Sequence, residues 1–250
     1  MKTLETGTDA HPWEAVGRLD ISGLGFCTGA LIAEHLVLTA AHCLFDKGTN
    51  ARIDHQRITF LAGWRNGRAS AHRRVRRVVI HPSYTYDRDL STSRVRHDLA
   101  LLELAQPIRN TTLAPFATAA RPDPGAQVAL VSYAHNRSEA PSLQEVCTVL
   151  ARQEGVLVTS CSVDLGSSGA PIFTVLKGVP HIVSIVSAKA EMEGQDVSIG
   201  TSLHEPLATL KAELAFGNGQ TSHLPRANAR VQVGAVRRDT GAKFIRVENK

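Results

Sequence analysis

The sequence predicts an all-β architecture, sandwich or barrel, on three observations. Twelve short apolar or alternating runs follow one another between about residues 14 and 203, separated by turn residues. No long helical period occurs among them. The segment RPDPGAQ (121–127), rich in proline and glycine, divides the runs into two groups of six.

The first group is AVGRLDI, FCTGALIA, LVLTA, RITFLAGW, RRVVI and LALLEL. The second is QVALVSY, EVCTVLA, GVLVTS, APIFTVL, HIVSIVSA and VSIGTSL. The longest apolar stretch, residues 31–45, is interrupted by Glu34, His35, Thr39 and His42 and reads as buried strand and turn. No stretch approaches the roughly 20 apolar residues of a membrane span. The arginine-rich GRASAHRRVRRVV reads as a solvated strand face. After the strands, Leu203, Leu207, Leu210 and Leu214 recur at spacings of four, three and four, which is one face of a helix. Pro206 suits its first turn, where a missing N–H costs nothing, with Glu205 as the expected cap. GNGQTSHLP then reads as a linker, and ARVQVGAV and AKFIRVE flank RRDTG as a candidate hairpin.

At 250 residues, 43% hydrophobic and 20% charged, the chain has the make-up of an ordinary globular protein with a large core. Its formal charge of +5 lies wholly in residues 217–250, which carry seven basic residues against Asp239 and Glu248. A neutral body with a basic tail argues against a nucleic-acid-binding domain. The tail is a candidate for weak contact with an anionic surface, although a plain solvated extension is the preferred reading.

Four cysteines form two local pairs, Cys27 with Cys43 and Cys147 with Cys161, without the C-x-x-C spacing of a zinc ribbon. Three connectivities are open, and near-neighbour disulfides are preferred over four reduced thiols. They imply an oxidising compartment, secreted or periplasmic. The opening MKTLETGTDAHPW has no apolar leader segment, and a signal already removed reconciles the two facts. The eleven histidines are scattered and no HExxH occurs, so neither a metal nor another cofactor is expected.

Three motifs carry chemistry. TAAHC (39–43) puts His42 at a strand end, HDLALLEL (97–104) puts Asp98 at the head of an apolar strand, and GSSGAP (166–171) sets Ser168 between glycines. Each alone has an ordinary structural explanation. Together, and in the order His, Asp, Ser, they resemble the chymotrypsin/trypsin-like serine peptidases. The resemblance runs from about Pro12 to Leu214 and includes HPSY (81–84) and IVSA (185–188). GSSGAP in place of GDSGGP, and the cysteines around GVLVTS, look most like the bacterial branch that includes glutamyl endopeptidases.

The resemblance implies two six-stranded antiparallel β-barrels with a cleft between them, a short C-terminal helix and a basic extension. Residues 12–120 would form the first barrel and residues 121–216 the second barrel plus helix, leaving 217–250 as the extension. It also implies a serine endopeptidase acting on protein or peptide substrates through an acyl-enzyme. A serine hydroxyl needs a base to become a nucleophile, and His42 would serve. Asp98 would fix the histidine tautomer, Ser168 would attack, and the backbone N–H groups of Gly166 and Ser168 would hold the oxyanion. The alternative is a catalytically silent binding protein on the same fold. Such proteins usually lose a triad member, and here all three remain.

Where trypsins carry an aspartate before the nucleophile, this chain has Ser167, whose side chain should face the barrel interior. Ser162 stands where trypsins hold the aspartate that selects basic residues, and Val186 where glutamyl endopeptidases hold a histidine. Ser187, Ala188 and Lys189 should form the pocket edge on which substrate backbone pairs. Lys189 would attract an acidic side chain, whereas Asp164, Glu191, Glu193 and Asp196 would attract a basic one. The plain reading of those five charges is a solvated loop.

Overall fold

The computed structural model describes residues 1–5, 7–87, 91–192 and 194–221. All twelve sequence runs are strands. In chain order the strands are β1 (Lys2–Thr3), β2 (Val16–Ile21), β3 (Gly25–Ala33), β4 (Leu36–Thr39), β5 (Ile58–Ala62), β6 (Ala71–Ile80) and β7 (Ala100–Leu104). They continue as β8 (Ala117–Thr118), β9 (Gln127–Ala134), β10 (Arg137–Gln153), β11 (Val156–Thr159), β12 (Pro171–Leu176), β13 (Val179–Met192), β14 (Gln195–Ser202) and β15 (Gln220–Thr221). The α-helices are α1 (Gly7–Ala10), α2 (Thr92–His97) and α3 (His204–Ala215).

Two closed rings result. In the first, β2 pairs with β3 and β5, β3 with β4, β4 with β7, and β7 and β5 both with β6, all antiparallel. In the second, β10 pairs with β9 and β11, β11 with β14, β14 with β13, and β12 joins β13 to β9. Closing each sheet on itself leaves no open edge within the ring. The two six-stranded antiparallel barrels anticipated from the sequence are therefore present. Three two-residue strands lie outside the twelve runs and are too short to leave a periodicity. β1 and β8 join the second sheet, on β10 and β13, and β15 joins the first, on β6. The expected hairpin beyond them lies outside the described residues.

Alternation decides what faces inward. Leu19, Leu31, Val37, Phe60 and Leu102 share the inner face of the first barrel, all essentially inaccessible, while Leu38 and Leu101 are buried on the opposite face. The two barrels meet on aromatic rings, with Phe173 edge-on to Trp13 and Phe116 at centroid distances of 5.0 and 4.8 Å. The Tyr133 hydroxyl, from β9, donates to the Trp64 carbonyl across the junction at 3.0 Å. Such contacts fix the two halves of the cleft against each other.

Two local expectations are corrected. The arginine-rich strand β6 is not simply a solvated face. Arg76 and Arg77 converge on the buried carboxylate of Glu103 on the paired strand β7, the Arg77 Nε lying 2.8 Å from it. A buried charge needs such partners. Glu205 does not cap α3: Leu203 holds the N-cap position with no side-chain hydrogen bond, and Glu205 lies within the first turn beside Pro206. The leucine face is as read, with Leu203, Leu207 and Leu210 buried and Leu214 packed against the core. Among the described residues no helix is long and apolar enough to cross a membrane.

The disulfides join Cys27 to Cys43 and Cys147 to Cys161, across 16 and 14 residues. The first ties β3 to the turn bearing His42, and the second ties β10 to the segment before Ser168. Each restricts the unfolded chain, so replacing either pair with alanine should lower stability by about 2–4 kcal/mol. Chemical denaturation of the two double variants checks this, and an unchanged midpoint in both would contradict it.

Candidate active site

Strand β4 ends at Thr39 and the chain turns through a short 3-10 segment, Ala41–Leu44, which carries His42. Helix α2 ends on Asp98, immediately before β7. The pairing of β4 with β7 (Thr39 opposite Ala100) brings the two segments together. Asp98 is wholly buried, and its oxygens are directed onto His42. Oδ1 accepts the His42 backbone N–H at 2.8 Å, and Oδ2 lies 2.6 Å from His42 Nδ1. The Ser187 hydroxyl donates to the same Oδ2.

Burial alone would raise the Asp98 carboxyl. The facing His42 charge, hydrogen bonds from the imidazole and Ser187, and the His42 N–H outweigh it and hold the group below the usual carboxylate range. A depressed folded-state value gives stability that is present above the unfolded value, about 3.9 for aspartate, and is lost as pH falls through the folded one. The wild-type protein should therefore lose more stability than Asp98→Asn between neutral pH and the range below pH 4. Denaturation at several pH values gives the two slopes, and equal slopes would contradict the ion pair.

Ser168 comes from the second barrel, on the turn leading into β12. The turn is held by Ser167 N–H to Asp164 O at 2.9 Å and Ala170 N–H to Ser167 O at 3.0 Å. The first barrel grips it as well: Thr28 N–H donates to Ser168 O at 2.8 Å, and the Thr28 hydroxyl donates to Gly166 O at 2.9 Å. Gly169, at φ +77°, has no room for a side chain, since a Cβ there would lie 2.2 Å from Thr39 Oγ1 and 2.3 Å from Thr28 O. Ser167 is fully buried, as expected, its hydroxyl within 3.3 Å of both Ser132 Oγ and Tyr133 O. Among the described residues the backbone N–H groups of Gly166 and Ser168 have no hydrogen-bond acceptor.

His42 and Ser168 line two adjoining hollows. One, about 800 Å³, runs along Val163, Asp164, Leu165, Val186, Ser187, Ala188 and Lys189 on one wall and Lys47, Tyr86, Asp87 and Arg94 on the other. The other, about 350 Å³, passes Leu24, Phe26, Phe45 and Ile53 beside the Cys27–Cys43 bridge. His42 and Ser168 are the two residues that border both hollows.

Of the expected pocket residues, Val186, Ser187, Ala188 and Lys189 line the cleft and Ser162 does not. The Cys147–Cys161 bridge and a bond from Ser162 N–H to Gln144 Oε1 (3.0 Å) hold Ser162 outward, and the buried Val163 forms the wall in its place. The charges Lys189, Glu191 and Asp196 lie on the paired strands β13 and β14 rather than in a loop, because β13 extends to Met192. Sequence reasoning placed Ser187 at the pocket edge but missed its bond to Asp98. Thr28 was missed altogether, since a threonine in an apolar strand carries no signal of its own. The Cys27 and Cys43 sulfurs approach His42, yet they are bonded to each other and offer no thiolate to a metal.

The sequence profile of the trypsin family matches residues 5–202. The chain belongs to the trypsin family. It is similar to coagulation factor IX of Cavia porcellus, 30% identical over 122 residues, which is 46% of this chain and 39% of that protein. It is similar also to human kallikrein-10, 35% identical over 102 residues, which is 40% of this chain and 33% of that one. The matches thus span two fifths or less of those relatives' lengths.

Proposed function

We propose that this chain is a serine endopeptidase that hydrolyses peptide bonds through an acyl-enzyme, with Ser168 as nucleophile, His42 as general base and Asp98 as the group that orients it. The observation that carries the reading is the wholly buried Asp98 bonded to both the main chain and the ring of His42, in a cleft that Ser168 also lines. In the first step Ser168 Oγ attacks the scissile carbonyl carbon while its proton passes to His42 Nε2. The oxyanion is held by the free N–H groups of Gly166 and Ser168. Collapse breaks the C–N bond, and the leaving amine takes the proton from His42. Water then repeats the sequence on the acyl ester, releasing the acid and restoring Ser168.

The two disulfides support action in an oxidising compartment, secreted or periplasmic. Residues 12–120 and 121–216 are proposed as the two folding units, with 217–250 as an extension. Within the family, kinship with the bacterial branch that includes glutamyl endopeptidases is supported by Ser167. The neutral, internally bonded hydroxyl there leaves no buried carboxylate waiting for a new N-terminal amine. Activity should therefore survive a peptide fused ahead of Met1, within about twofold. A fusion that is inactive until the peptide is cut away would contradict this.

The direct test is a fluorophosphonate probe followed by peptide mapping. Labelling confined to Ser168 and abolished in His42→Ala is expected. A folded protein that neither takes up the probe nor cleaves a peptide library would instead be a binding protein on this scaffold.

A further inference from the structure

Lys189 is the cleft's only cation on the wall next to Ser168 among the described residues, and its charge is already engaged. Strand β13 pairs with β12 as far as Ile185 and then runs on beside β14 alone, so Lys189 lies on a stretch whose cleft side has no strand partner. Lys189 faces Ser198 and Glu191 faces Asp196 across the β13–β14 ladder. Asp196 is thus the diagonal neighbour of Lys189, and its Oδ2 lies 2.7 Å from Lys189 Nζ. Diagonal neighbours two positions apart are within reach of long side chains. Asp164, on the same cleft wall, adds a second negative charge acting on Lys189. The hollow that Lys189 lines also holds apolar residues: Val163 and Val186 are buried, at 3% and 2% exposure, and Leu165 is exposed, at 68%.

We infer that the cleft takes an uncharged aliphatic side chain ahead of the scissile bond, and that Asp196 is the specificity-determining residue that keeps Lys189 from recruiting an acidic one. The inference rests on the peptidase reading above. A carboxylate side chain lying against this wall meets an ammonium that Asp196 and Asp164 already engage, and gains less from it than the hydration it surrenders. A basic side chain likewise finds Asp164 already facing Lys189 and Arg137. An aliphatic side chain loses nothing by desolvation and gains by covering the exposed Leu165. Asp196 does not line the cleft, so it acts on the substrate only through Lys189.

The test is kcat/KM for a peptide series identical except for Ala, Val, Leu, Glu or Arg ahead of the scissile bond, on the wild-type protein, Asp196→Asn and the double variant Asp196→Asn/Lys189→Gln. The wild-type protein should favour the aliphatic peptides over both charged ones by at least about tenfold. Asp196→Asn should raise the Glu/Leu ratio about fivefold, the size of one solvent-screened charge interaction. Adding Lys189→Gln should remove that gain. The ratio is a readout that a merely structural role for an exposed strand residue would not move. Wild-type preference for Glu or Arg, or a Glu/Leu ratio unchanged in Asp196→Asn, overturns the inference and leaves the peptidase reading standing. Cleavage of no peptide at all, with no fluorophosphonate labelling of Ser168, overturns the peptidase reading and this inference with it.

Discussion

Replacing Ser168 with alanine is expected to lower turnover by about four orders of magnitude or more, with the protein still folded. The nucleophile is lost outright, and what remains is substrate binding and the oxyanion donors. Because Ser168 is held through its backbone, with its carbonyl bonded to Thr28 N–H and Gly169 N–H bonded to Val186 O, removing the hydroxyl leaves the loop intact. The neighbouring serine is the control. Ser167 has its hydroxyl turned inward to Ser132 and Tyr133, so Ser167→Ala removes a buried hydrogen bond rather than a reacting atom. Its expected cost is about 1 kcal/mol of stability and less than about tenfold in rate. Rates on a peptide substrate and a thermal melt of both variants separate the two. If Ser167→Ala were dead and Ser168→Ala active, the register of the catalytic loop would be wrong; if both kept full activity, the triad reading would fall.

The strands were legible because each is long enough to show alternation or a solid apolar run, from the run that became β2 to the one that became β14. β1, β8 and β15 were not, since two residues cannot carry a period. β10 was seen only in part: EVCTVLA marks its second half, while the first half, from Arg137, has no apolar run to mark it and shows only in the pairing of Arg137 with Ala134. The site divides along similar lines. His42, Asp98 and Ser168 are proposed because short motifs in a fixed order mark them. Ser187 and Thr28 are single hydroxyls whose roles depend on residues 89 and 138 positions away in the chain. Ser162 lines neither of the two hollows for a related reason. Counting back from the nucleophile assumes a backbone path, and here the path is set by the Cys147–Cys161 bridge and the bond to Gln144.

Asp98→Asn tests the part of the site that does not touch substrate, and its effect should be nearly as large as loss of the nucleophile. The three groups around Asp98 all donate: the His42 N–H to Oδ1, and the imidazole Nδ1–H and Ser187 hydroxyl to Oδ2. A carboxylate accepts all three. An asparagine has one oxygen and an NH₂ group, so one side must now present hydrogen to a donor. If the oxygen stays on the His42 N–H, the NH₂ faces Nδ1, and the ring can accept that bond only by carrying its own proton on Nε2. That tautomer presents N–H to Ser168 and has no lone pair with which to take the hydroxyl proton. The side chain is isosteric, so burial and packing are kept. The fall in kcat at neutral pH should be on the order of 10⁴. Fluorophosphonate labelling of Ser168 should slow in parallel, because it needs the same base. A thermal melt distinguishes this from unfolding, and hydroxide should partly restore the rate at high pH by supplying the base that His42 no longer provides. A variant within tenfold of the wild-type rate would show that the buried carboxylate is a packing feature, and Asp98 would leave the mechanism.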